Sequence, residues 1–163
     1  MKIAVISDTH DHLDNLAKAI DEINGLDTEI LLHCGDLCSP FVIDRLAKFK
    51  GEVHVVFGNN DGDRFRISKV AERFENITIH GEIGIVETPV GELAFAHKPE
   101  TAIGFTHTGR YKAVFYGHTH RRRTEMADGT PFINPGELMG LIEEPGYILF
   151  DMDDGSVEHF AVK

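Results

Sequence analysis

Four short clusters and one isolated histidine carry the residue types that metal-assisted chemistry needs. They are Asp8-Thr9-His10, Gly35-Asp36, Gly58-Asn59-Asn60-Asp61, His97 and Gly117-His118-Thr119-His120. Their side chains offer carboxylate oxygen, imidazole nitrogen and an amide oxygen, and no thiolate is needed. Such donors suit hard or borderline divalent ions, among them manganese, iron, zinc and nickel. Seven donors (Asp8, His10, Asp36, Asn59, His97, His118 and His120) are too many for one tetrahedral ion. They suit two ions that share a carboxylate. Each cluster alone is ordinary, since Asp-x-His, Gly-Asp and Gly-Asn-Asn-Asp are common in turns and loops. Their ordered succession, each directly after an apolar run, is what points to a metal centre.

Those apolar runs must be the elements that position the donors. Ile3 to Ile6, Glu29 to His33 and Val53 to Phe57 read as strands. Leu13, Leu16, Ala17, Ile20 and Ile23 recur at helical spacing, with Asn24-Gly25 as a stop. Ser39-Pro40 predicts an N-cap and a first-turn proline for a helix through Lys48. Alternating strands and helices imply parallel βαβ units. After a helix near residues 64–75 the pattern changes. Gly84 to Val90 with Glu92 to Ala96, Arg123 to Ala127 with Pro131 to Asn134, and Tyr147 to Met152 with Ser156 to Val162 read as hairpins. A helix over 100–109 and a strand from Ala113 to Tyr116 lie among them. The front half therefore reads as parallel and the back half as largely antiparallel, in two sheets packed face to face with helices outside. The donors fall at strand ends, where open α/β sheets bind ligands. Gly35, Gly58 and Gly117 are expected to let the chain turn tightly there. His118 and His120 share a face if their segment is extended.

The chain has 163 residues, 16 basic and 27 acidic, for a net charge of −11 with neutral histidine. That balance disfavours polymeric nucleic acid and anionic membranes as partners. The first apolar run is too short for a signal peptide or a membrane span, so a cytoplasmic location is expected. Cys34 and Cys38 are the only cysteines, which excludes a disulfide scaffold. No linker divides the chain, so residues 1–163 are expected to form one domain. Met139-Gly140-Leu141-Ile142 could be core or the contact of a homodimer.

In this order the clusters resemble the calcineurin-like metallophosphoesterase superfamily, and most of all its small single-domain prokaryotic phosphodiesterase branch. The likeness runs from Asp8 to the turn Asn134-Pro135-Gly136-Glu137. It implies an α/β fold, a four-layer α/β/β/α sandwich of two mixed sheets with flanking helices. It also implies two divalent ions per chain, manganese first, with nickel, iron or zinc as alternatives. Asp8, His10, Asp36 and His120 would hold one ion. Asp36, Asn59, His97 and His118 would hold the other, with Asp36 bridging. The implied activity is hydrolysis of a small phosphodiester by a hydroxide shared between the ions, with Asp36, Asn59 and His97 as the catalytic residues. A phosphomonoesterase is one alternative. Another is a non-catalytic scaffold of the same fold, as in the small subunit of the endosomal retromer coat. Such scaffolds lose ligand residues, whereas this chain keeps all of them.

Two positions depart from the larger relatives. Asn60 stands where they carry a histidine that serves as general acid, and an amide cannot donate a proton in that way. His97 is followed by Lys98-Pro99 instead of Gly-His. Asn60, Lys98 and Arg121 are the candidate substrate contacts. Asp61 is expected either to orient a ligand or to sit as an acid at a helix N-terminus. His12, His33, His54, His80, His107 and His159 fit no ligand position.

Overall fold

The computed structural model describes residues 1–163. Strands and helices alternate through the front half as β1 (Lys2–Ile6), α1 (Leu13–Ile23), β2 (Thr28–His33), α2 (Phe41–Leu46), β3 (Glu52–Val55), α3 (Arg64–Ala71) and β4 (Ile77–Ile79). Then come β5 (Ile83–Thr88), β6 (Gly91–Ala96), α4 (Pro99–Thr106), β7 (Tyr111–Phe115), β8 (Arg123–Ala127), β9 (Thr130–Asn134), β10 (Gly146–Asp151) and β11 (Val157–Ala161). No helix is long and apolar enough to cross a membrane.

One sheet has the order β11-β10-β1-β2-β3-β4 and the other β5-β6-β7-β9-β8. Alternation along the strands assigns the layers. In β1, Ala4 and Ile6 turn toward α1, α2 and α3, in a cluster that includes Leu16, Ile20, Val42 and Ile67. Ile3 and Val5 turn the other way, onto Phe95, Phe115 and Ile133 of the second sheet. The far face of that sheet buries Ala94, Val114 and Phe132 with Ala102 of α4. Helices, sheet, sheet and helix thus make four layers around two mixed sheets. In α1 the buried residues are Leu16, Ala19, Ile20 and Ile23, at the spacing of one helical stripe. His12 caps that helix by accepting the Asn15 backbone N–H.

Several expectations need correction. The back half is not simply antiparallel, because β6, β7 and β9 pair in parallel. The last hairpin leaves the second sheet, and β10 pairs antiparallel with β1. Hairpin sequence fixes a local pairing, not the sheet that receives it. β4 had no sequence signal: it is a three-residue strand whose ladder with β3 comes from position alone. Helix α2 starts after Pro40, with no side-chain cap from Ser39. Helix α1 ends at Ile23 as expected, whereas α3 and α4 end earlier than the sequence reading has them, at Ala71 and Thr106. The useful consequence is directional. β1, β2 and β3 are parallel, as are β6, β7 and β9, and the loops at their C-terminal ends meet at one edge of the sandwich.

Candidate metal centre

The loops that follow β1, β2 and β7 are strained in the same way. Asp8, His10, Asp36, His118 and His120 all have positive φ, from 40° to 68°. Asp and His tolerate the left-handed region better than most residues, though at a cost. Neighbouring loops hold them there. The backbone N–H groups of Asp8 and His10 donate to Gly35 and Asp36 carbonyls, each at 3.0 Å. Asn134, at the end of β9, donates to the Gly117 carbonyl at 2.8 Å and to Thr119 at 3.0 Å. Asp61 is 6% exposed and accepts the N–H of Cys38 at 2.8 Å and of Gly58 at 2.6 Å. It therefore ties two donor loops together, whereas the cap of α3 is Asp63.

Two of the three expected turn glycines serve another purpose. Gly35 does have positive φ, at +98°. Gly58 and Gly117 are there for space. A Cβ on Gly58 would meet Asp36 Oδ1 at 2.1 Å, and one on Gly117 would meet Ser7 Oγ at 2.0 Å. Both glycines let a backbone pass against a donor carboxylate.

All seven donors converge. The donor atoms of Asp8, His10, Asp36 and His120 lie within 4.8 Å of one another. Asp36 Oδ2 is 3.3 Å from His10 Nε2 on one side and 3.3 Å from His97 Nε2 on the other. His97 Nε2 in turn lies 3.1 Å from Asn59 Oδ1 and 3.3 Å from His118 Nδ1. Asp36 thus stands between two groups of donors, Asp8, His10 and His120 in one and Asn59, His97 and His118 in the other. The extended reading of Gly-His-Thr-His does not hold. With both imidazoles on left-handed backbone, His118 stands against His97 and His120 against His10, each pair of rings 5.1 Å apart.

The hydrogen bonds fix which atoms face inward. His97 Nδ1 donates to the Cys34 carbonyl at 2.8 Å, which leaves Nε2 as an acceptor facing two oxygens. His120 Nδ1 donates to Glu137 Oε2 at 2.6 Å, which leaves Nε2 as an acceptor 3.3 Å from Asp8 Oδ1. Asp8 Oδ1 and His10 Nε2 are buried with no hydrogen-bond partner, 3.8 Å apart. Buried acceptors that face one another need a cation or a proton between them. The donor set fits divalent ions on that ground. Cys38 Sγ lies against His10 Nδ1 at 3.4 Å, behind the ring and away from the donor nitrogen.

Charge follows the same pattern. The facing carboxylate of Asp36, and after it that of Asp8, favours a protonated ring and raises His10 to about 9. Burial alone would raise Asp36, but the facing imidazoles of His10 and His97 and the hydrogen bonds from Asn60 hold it well below the usual carboxylate range. Burial likewise opposes protonation of His97, and the hydrogen bond to Asp36 and the nearby Asp8 charge outweigh it, for a net rise. Here protons stand where cations would bind. His33 is different. It is fully buried, accepts the Gly35 N–H and contacts Thr9 Oγ1, and burial lowers it to about 4.

The candidate substrate contacts separate. Asn60 does not reach outward: its backbone N–H and its amide donate to the two oxygens of Asp36, both at 2.8 Å. Lys98 is exposed beside Asn59 and His97. Arg121 is exposed and lies before β8, not on a strand. Arg122 instead binds the Glu144 carbonyl, and its own N–H donates to Glu143. Sequence reasoning read Glu137 only as part of a turn beside the site. It is wholly buried, and besides His120 it accepts the N–H groups of Ile142 and Glu143. An acid directly after Asn-Pro-Gly was the one available signal.

A family model described as the calcineurin-like phosphoesterase superfamily domain matches residues 1–155. A phosphodiesterase of Methanocaldococcus jannaschii is 36% identical over 146 residues, 87% of each chain. The solved structure of an archaeal phosphodiesterase superposes with a TM-score of 0.91 at 32% identity, over 99% of each chain. Vps29 of Entamoeba histolytica, solved in complex with zinc, shares the fold at a TM-score of 0.65 and 20% identity, over the whole of both chains.

Proposed function

The chain belongs to the calcineurin-like phosphoesterase superfamily, and on that footing we propose that it is a metal-dependent phosphodiesterase acting on a small phosphoester. The observation that carries this reading is the set of acceptors that face one another: the buried Asp8 Oδ1 stands 3.3 Å from His120 Nε2 and 3.8 Å from the buried His10 Nε2. Asp8, His10, Asp36 and His120 would hold one divalent ion, and Asp36, Asn59, His97 and His118 a second. Asp36 Oδ2, equidistant from His10 and His97, supports the shared role. Manganese is the proposed ion, one of the divalent ions that nitrogen and oxygen donors suit. When bound, such ions neutralise phosphoryl charge and lower the pKa of a water toward ~7.

The protein's own groups do the rest. Asn60 holds the Asp36 carboxylate by both oxygens and so fixes the shared donor. It cannot protonate a leaving group, which favours diesters whose departing alcohol is a stable anion. The net charge of −11 repels polyanions, while a doubly charged centre would attract a small diester locally. We further propose that residues 1–163 act as one domain, in the cytoplasm. A scaffold role would not require seven donors to converge.

The test is hydrolysis of bis(4-nitrophenyl) phosphate by protein stripped with chelator and then given manganese. Turnover should return with the metal. Absence of metal-stimulated turnover across mono- and diesters would overturn the reading.

A further inference from the structure

Beside the Asn59 and His97 half of the centre lies a pocket of about 230 Å³. Because Asn59 and His97 line both, a phosphoryl group held at the centre would have one ester arm at the mouth of this pocket. Three features describe what that arm can be. The first is size. At about 230 Å³ the space falls below the roughly 300–1,000 Å³ of pockets that enclose drug-sized ligands, so the arm it takes is short. The second is the absence of a stacking face. Phe57 is the pocket's one aromatic carbon ring, it is 8% exposed, and the Arg64 guanidinium covers it at 5.3 Å. A nucleobase would find no exposed aromatic ring to stack on.

The third is charge. In a chain with 27 acidic and 16 basic residues, this pocket has Arg64 and Lys98 against the single carboxylate of Glu82. Arg64 is fixed, donating to the Gly58 carbonyl at 2.6 Å and to Glu82 at 3.0 Å. Lys98 is exposed and no carboxylate engages its ammonium. Thr101 adds a hydroxyl to the lining.

We propose that this pocket is a subsite for a small anionic arm of the diester, with Lys98 and Arg64 as the residues that recognise the anion. The proposal rests on the phosphodiesterase reading and names the substrate class within it: a diester with one short arm that ends in a carboxylate or a phosphate, in preference to a nucleotide.

The experiment compares three 4-nitrophenyl phosphodiesters whose second arm is propyl, 2-carboxyethyl or 2-phosphoethyl, on manganese-loaded protein. At least one anionic arm should raise kcat/KM tenfold or more over propyl, mainly through KM, and the larger gain identifies the anion. In Lys98→Met that ratio should fall to near one, and Lys98→Arg should restore it. Binding gives a readout without turnover: 2-carboxyethylphosphonate should bind at least tenfold more tightly than propylphosphonate, and Lys98→Met should remove the difference. Equal kcat/KM for the three diesters with equal phosphonate affinities would overturn the subsite. So would an anion preference that survives Lys98→Met. If none of the diesters is hydrolysed while the phosphonates still discriminate, the phosphodiesterase reading fails and the anion pocket stands.

Discussion

The contact between His120 and Glu137 shows how one residue can decide a ligand's chemistry without touching the ion. Glu137 accepts three N–H groups, two from the backbone of Ile142 and Glu143 and one from His120 Nδ1. A carboxylate can only accept, so His120 Nε2 is left free to coordinate. Glu137→Gln keeps the shape but brings one oxygen and one NH₂. With its oxygen on the two backbone groups, its NH₂ would face Nδ1 and force the proton onto Nε2. Metal retention at the Asp8, His10 and His120 group should fall by about 10–100-fold, the usual effect of losing such a support. The melting temperature of the chelated protein should change little. Metal titration with a fluorescent indicator checks this, and unchanged affinity would show that Glu137 only packs. Asp36→Ala should empty both groups of donors, while His120→Ala should weaken one. Metal stoichiometry by elemental analysis separates the two outcomes.

At the level of elements, the centre depends on loops that approach more closely than side chains normally permit. Gly117→Ala places a Cβ at 2.0 Å from Ser7 Oγ and 2.6 Å from Asp8 Oδ2. Ser7 and the His118 N–H both donate to that same oxygen, so the clash displaces a donor and its supports together. The expected loss is about 1–3 kcal/mol, as for other overpacked sites, with weaker metal binding. Gly104 is the contrast. It lies inside α4, and an added Cβ meets nothing within 4 Å. Gly104→Ala should be neutral or stabilise by up to ~1 kcal/mol. Urea denaturation of the pair tests whether crowding at the strand ends, and not glycine loss in general, is what matters. Strands themselves were legible from apolar runs, and so was the placement of donors just beyond them. The close approach of Gly58 and Gly117 was not, because it depends on a loop distant in sequence.

For the molecule as a whole, three shifted histidines at the centre, with Asp36, set opposite pH limits on the metal-free protein. His10 and His97 are raised when folded, so the stability they add is complete below about 6.5 and is lost as pH rises, for His10 through about 9. His33 is lowered to about 4, so it destabilises the fold as pH falls from 6.5 toward that value. Asp36 is lowered as well, and its contribution is present above the ordinary carboxylate range and lost in acid. Stability in chelator should therefore peak near pH 6.5 and fall on both sides, by on the order of 2 kcal/mol at pH 9. Bound metal should remove the alkaline loss, since it requires neutral imidazoles. Urea midpoints at three pH values, with and without manganese, give the answer, and a flat chelated profile between pH 6.5 and 9 would contradict it.

The sequence by itself determined the donors, their order and the strands that carry them, because residue chemistry and apolar periodicity are local properties. It also determined the acidic surface. Beyond what the family resemblance implied, tertiary structure decided which donors share a group. Two histidines two residues apart part company, His118 to His97 and His120 to His10, because left-handed backbone turns them in different directions. It alone gave Asn60 to Asp36 and made Glu137 the support of His120. It alone sent β10 and β11 back to the first sheet. Each of these is a contact between distant parts of the chain, settled by how the two sheets close on each other.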